Sequence, residues 1–413
     1  MSYKQVIILT SENHQTWPFL KQHLFSSIKK LPETRQEVLS DKFDFNQVTK
    51  ISSQLNESTA LIVLDHKNIN IQCILSIVPK VSPHVHCYLY VDDLFIETAL
   101  RFDVLPFNSF QNIFGAFIYP TTAFKNFCQG FFPKATNLIQ NFPCFSQNEI
   151  PSIEERNTLK AKYNLHHSQK TVLIPLALRR DSNILYLLKT IFETNKSLLE
   201  NDPTLHICLS LGKEESSIPL YLISLPQGHV FQEITQFIKT LPENLQNRIH
   251  FYDDLSEEIL WISDVLIDIS TTLPYTMREE CALAQECGLS IIASTWGLCQ
   301  KNIISEPHSQ LSMIDINVTN QGVEIDHEQL VHGINDAVKN SLSWEKRVSL
   351  ALETRKRRKE NSSEFKLSEY SKYLTTFGTT TWKLRYHSQN LKEIEKPLSL
   401  QSFEGHLYEF FAK

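Results

Sequence analysis

Short apolar runs rich in β-branched residues recur along the chain, and each ends at polar or turn-forming positions. In the first third they predict strands at 6–9, 60–65, 85–91, 113–119 and 137–142. Further on they predict strands at 171–177, 205–211, 249–252, 265–269 and 289–293. Between these lie stretches of helical composition at 153–165, 182–199, 234–241, 256–263, 277–286 and 326–340. Regular alternation of this kind predicts an α/β chain with two Rossmann-like, doubly wound domains. A last edge strand is expected at 313–318 and a long helix within 343–413.

The stretch from Asp264 to Trp296 is the most informative. It reads as strand, loop, helix, strand, with a helix stop at Gly288. Two nearly continuous apolar strands around one helix are the mark of a parallel βαβ unit buried on both faces. Ligands of open parallel sheets sit beyond the carboxyl ends of the strands, which points to 270–280 and 294–296. Pro143, Ser146 and Pro151 mark a linker, so the expected domains are 1–143 and 144–340, with a helical tail at 341–413.

Composition narrows the classes. A 42% apolar fraction suffices for packed cores, and a net charge of −6 gives no global attraction to nucleic acid. The eight cysteines are scattered, without zinc-site spacing, and read as buried free thiols. Only 10 glycines occur, and there is neither a Walker motif nor a GxGxxG. The N-terminal residues enter a strand-like segment rather than a secretory signal, and no apolar run reaches membrane-spanning length. A cytoplasmic protein without a bound metal or cofactor is the expectation.

Several residues could carry chemistry. Arg179 and Arg180 follow the strand at 171–177 just before a helix, where guanidinium groups can hold a diphosphate; two solvated loop arginines are the plain alternative. Glu279 closes a capping-box pattern with Thr276, while Glu280 shares a helix face with Leu283 and can reach a ligand. Ser270, Thr271 and Thr272 offer hydrogen bonds at a strand end, and Asp92 and Asp93 follow the strand at 85–91. Asp92 and Asp93 could meet sugar hydroxyls or simply shape a turn. The run Arg355, Lys356, Arg357, Arg358, Lys359 reads as a solvated helix end, with an anionic membrane surface as the alternative.

The order of these parts resembles the family-four glycosyltransferases of the GT-B fold. Cys287-Gly288-Leu289-Ser290-Ile291-Ile292-Ala293-Ser294 is similar to the family's Cys-Gly-x-Pro-Val-x-Ala-Ser, and Phe251-Tyr252-Asp253-Asp254-Leu255-Ser256 to its Phe-x-Gly-x-Val-Ser. The residues standing where the family has E-x7-E are Tyr275 and Leu283, and Asn183 stands at the family's lysine. The resemblance implies a metal-independent, retaining transfer from a UDP- or GDP-sugar to an acceptor it does not identify. In that picture Arg179 and Arg180 stabilise the leaving diphosphate, Glu280 positions ribose or sugar, and Asp92 and Asp93 meet the sugar. Glu279, Ser270, Thr271 and Thr272 bind the donor, while Tyr252, Asp253 and Asp254 frame its base. A tail at 341–413 would cross back onto the first domain. The displaced motif residues leave a second reading open: a GT-B scaffold that binds or regulates without transferring.

Overall fold

The computed structural model describes residues 5–11, 19–30, 33–40, 42–56, 58–65, 68–81, 85–91, 116–119, 136–139, 146, 148–176, 182–211, 227–253, 255–271, 279–295, 311–319 and 322–361. The chain divides into two compact units, with the change between Pro143 and Cys144.

The first unit holds one parallel sheet of β1 (Gln5–Ser11), β2 (Thr34–Leu39), β3 (Thr59–Val63), β4 (His86–Tyr90), β5 (Ala116–Tyr119) and β6 (Thr136–Ile139), in the order β2-β1-β3-β4-β5-β6. Helices Phe19–Lys29, Phe45–Ser52 and Ile69–Val81 connect the early strands. Central β1 and β3 carry Ile7, Ile8, Leu9, Leu61 and Val63 in the core because they are covered on both faces. β2 is a strand that the apolar pattern missed. Thr-Arg-Gln-Glu-Val-Leu lies at the sheet edge and is mostly half-buried, so polar residues are tolerated there.

The second unit contains β7 (Lys170–Leu176), β8 (Leu205–Leu211), β9 (Ile249–Tyr252), β10 (Val265–Asp268), β11 (Ser290–Ser294) and β12 (Leu311–Ile314), all parallel, in the order β12-β11-β10-β7-β8-β9. Counted within the unit this is 6-5-4-1-2-3, the doubly wound dinucleotide-binding order seen from its other end. Alternation along each strand separates two cores. Val172, Ile174, Ile207, Leu209, Val265 and Ile267 face one side. Leu173, Cys208, Leu266, Ile291 and Ala293 face the other.

Two predicted elements divide. The helix expected at 182–199 becomes Ile184–Lys189, a π-helical turn at Thr190–Thr194, and Lys196–Asn201. The strand expected at 313–318 breaks at Asp315 into β12 and β13 (Ile316–Thr319), and β13 pairs antiparallel with β14 (Gly322–Ile325). Gly288 ends the helix Glu279–Glu286 at φ +67, and Leu289 N–H returns to the Ala284 carbonyl. A side chain at Gly288 would meet the Arg347 backbone, so glycine is required there twice over.

The basic run corrects the sequence reading. In the helix Trp344–Asn361, Arg355 and Arg358 are buried, as is Arg347 two turns earlier on the same face. Arg347 donates to the carbonyls of Cys287 (2.8 Å), Leu260 (2.7 Å) and Ser263, which are the carboxyl ends of two helices. Arg358 pairs with fully buried Glu286 at 2.6 Å, and Arg355 with Glu257 at 3.0 Å. Trp261 and Trp344 stack beside Arg156, Arg347 and Arg355. The five cations therefore do not form one solvated or membrane-facing surface; only Lys356 and Lys359 are exposed. The same contacts place this part of the expected tail on the second unit, because its inward stripe carries cations that match helix-end carbonyls there. Among the described residues no helix is long and apolar enough to cross a membrane.

Candidate functional site

The strand order of the second unit reverses between β7 and β10, and this switch point is where the site is built. β7 and β8 pair along their whole length, whereas β7 and β10 pair at Val172 with Val265 and Leu173 with Leu266. Among the described residues no ladder pair joins β7 to β10 beyond Leu173. Pro175, which has no N–H, stands in β7 where a ladder donor would otherwise be.

Short polar side chains fix that edge. Asp268 ends β10 and accepts the Ser270 N–H at 3.1 Å, closing an Asx turn. Ser294, at the end of β11, donates its hydroxyl to the Ser270 carbonyl at 2.9 Å. Ser270 is thereby buried with its backbone held at both ends. Thr295 N–H donates to Ile314 at 2.8 Å, and its hydroxyl oxygen accepts the Ile316 N–H at 3.2 Å.

Asn183 joins the two halves. Its amide donates to the Ile269 carbonyl at 3.2 Å and to the Thr271 hydroxyl at 3.0 Å, so the start of the Ile184–Lys189 helix is tied to the β10 loop. The residue adopts φ 57, a left-handed conformation that asparagine tolerates better than most. Its side chain makes no bond to its own helix, as an N-cap normally would.

The predicted residues fall into three groups. Ser270 and Thr271 belong to this edge, and Glu280 is half-buried in the first turn of Glu279–Glu286. Glu279 begins that helix, its side chain outside the described ones. Tyr252 ends β9 and Asp253 follows it, exposed. The Tyr252 ring lies edge-on to Tyr163 at 5.3 Å, and its hydroxyl donates to the Tyr163 carbonyl at 3.3 Å. Burial raises the Tyr252 pKa. Arg179, Arg180, Thr272, Asp254, Asp92 and Asp93 lie outside the described residues.

Asn183 and Asp268 are the contributors that sequence reasoning did not assign. Asn183 was visible only as a replacement for a lysine, and its left-handed backbone has no apolar periodicity to reveal it. Near the opposite edge, the His206 Nδ1 and His250 Nε2 atoms lie 2.9 Å apart, and burial lowers the pKa of both, that of His206 to about 4. Among the described residues no group of three His, Cys, Asp or Glu side chains could hold a metal ion.

No family model and no curated protein matches this sequence. Solved structures do match it across most of its length. A UDP-forming α,α-trehalose-phosphate synthase from Burkholderia xenovorans, in complex with glucose-6-phosphate, is 9% identical over 90% of this chain and 99% of its own, with a TM-score of 0.57. HepE of Anabaena in complex with UDP-glucose is 13% identical over 90% and 98%, at 0.59. A glycosyltransferase from Rickettsia africae is 13% identical over 91% and 99%, at 0.58. Two parallel-sheet α/β units in this arrangement of elements give the chain the GT-B fold of those glycosyltransferases.

Proposed function

We propose that this chain transfers a sugar from a UDP- or GDP-linked donor to an acceptor, as a retaining enzyme needing no cofactor beyond its nucleotide-sugar co-substrate. One observation carries the reading: the second unit has the nucleotide-binding strand order, and its carboxyl edge at the switch point carries fixed hydroxyl and amide groups. The UDP-glucose held by HepE supports the choice of ligand class.

The chemistry asked of the protein is electrostatic. As the bond from the sugar's anomeric carbon to the β-phosphate oxygen breaks, negative charge grows on the departing diphosphate. Arg179 and Arg180, in the connection from β7 to the next helix, supply the opposing charge. Asn183 holds the β10 loop so that Ser270 and Thr271 present their groups without rearrangement. Glu280 accepts hydrogen bonds from sugar hydroxyls in this scheme.

Thermal-shift titration with UDP-, GDP- and ADP-sugars followed by a donor-hydrolysis assay tests the proposal. One nucleotide class raises the melting temperature, and an Arg179→Ala, Arg180→Ala double variant loses about 100-fold or more of the rate. A double variant with full rate contradicts the leaving-group role, and no response to any nucleotide contradicts the reading.

A further inference from the structure

Ser210 is fully buried near the carboxyl end of β8, and among the described residues its hydroxyl has no hydrogen-bond partner. A hydroxyl removed from water without a replacement bond is a net cost to folding. Alanine would remove that cost with the loss of one atom, so the oxygen calls for a reason.

Its position supplies one. Ser210 is the penultimate residue of β8, flanked in register by Pro175 of β7 and Tyr252 of β9. It continues the face of His206 and Cys208, two residues nearer the ligand-binding edge than Cys208. Pro175 offers no N–H, and the Tyr252 hydroxyl is directed to Tyr163. In the dinucleotide-binding proteins that share this strand order the ribose is met near the carboxyl end of the second strand, and β8 is the second strand here.

We propose that the Ser210 hydroxyl exchanges a hydrogen bond with a ribose hydroxyl of the bound nucleoside diphosphate, making it a specificity residue for ribonucleotides. This rests on the nucleotide reading above and gives β8 the ribose contact that sequence resemblance left with Glu280. A serine hydroxyl both donates and accepts, which suits a ribose hydroxyl in either sense.

The test is isothermal titration of the full chain with UDP, GDP and ADP, then with the 2′-deoxy and 3′-deoxy forms of whichever binds. Wild type prefers the ribonucleotide over at least one deoxy form by about tenfold, the size of one hydrogen bond. Ser210→Ala binds the ribonucleotide about tenfold more weakly, no longer discriminates, and melts higher than wild type without ligand. Ser210→Cys, close in size to serine but a weaker hydrogen-bonding group, separates this from packing damage by reproducing the loss of discrimination. A Ser210→Ala variant that discriminates as wild type does overturns the inference while leaving the nucleotide reading intact. Discrimination lost in Glu280→Gln but kept in Ser210→Ala returns the ribose to Glu280 and overturns it as well. A wild type that binds none of the three nucleotides overturns both.

Discussion

The two edges of the second unit's sheet are built from different chemistry. At the amino edge, charges meet charges inside the protein. Asp264 pairs with Arg156 at 2.6 Å and accepts the Thr171 N–H at 2.9 Å. Glu286 joins Arg358 to the Ser146 N–H, and Arg347 gathers the carbonyl ends of two helices. At the carboxyl edge, the described groups around the switch point are short and mostly neutral: Asn183, Ser270, Thr271, Ser294 and Thr295, with Asp268 closing a local turn. One edge completes its electrostatics internally and holds the fold. The other presents fixed dipoles at the place where an open parallel sheet receives a ligand.

The largest effect should come from opening the amino edge. Arg358→Ala leaves the buried Glu286 carboxylate without that guanidinium and costs about 3–5 kcal/mol in urea unfolding. If the two edges are separate in role, the surviving folded protein keeps its nucleotide affinity. A change in affinity without a change in stability would break the comparison.

Asn183→Ala should give the reverse profile. It removes two hydrogen bonds and puts alanine in a left-handed conformation, costing about 1–3 kcal/mol, and nucleotide binding weakens about tenfold. Asn183→Gly recovers the backbone part in unfolding experiments but not the binding. Recovery of both would mean that the side-chain bridge is irrelevant.

A pH dependence sharpens the amino-edge account. The folded His206 pKa lies near 4 because burial, and then the neighbouring His250, disfavour its charged form, against an ordinary value near 6.5. As pH falls from about 6.5 to 4 the unfolded chain takes up the proton first, so stability drops by up to about 3 kcal/mol across that window. Below it both states are protonated and the loss is complete. His206→Gln should flatten this segment of a stability-versus-pH curve; an unchanged slope would assign it to other groups. Smallest of all, Lys356→Ala removes an exposed pair with Glu360 at 3.9 Å and should change unfolding by about 0.5 kcal/mol or less.

Much of the fold was legible because buried parallel strands announce themselves. Leu205–Leu211 and Ile249–Tyr252 coincide with their apolar runs, and Val265–Asp268 falls one residue short of its own. The edge strand Thr34–Leu39 was not legible, since half-exposed positions relax the apolar requirement. Nor was the role of the basic run. Arg347, Ala351, Thr354, Arg355 and Arg358 form the buried stripe of their helix, and cations in an inward stripe look like a solvated end until their carbonyl partners are in place. Strand order cannot be read from spacing, so the switch point and the Asn183 bridge appear only in three dimensions. Ser270 and Thr271 lie at the carboxyl edge where the rule that strand ends bind ligands pointed. Asp264, the first residue of the most informative stretch, serves the amino-edge network with Arg156 and Thr171.

The most direct measurement of the central claim is amide hydrogen exchange of the full chain with and without UDP-glucose or a GDP-sugar. The account predicts slowed exchange at residues 183–186, 268–271 and 294–295, with little change around Asp264 and Glu286. Protection centred on the amino edge, or none anywhere with either donor, would contradict it.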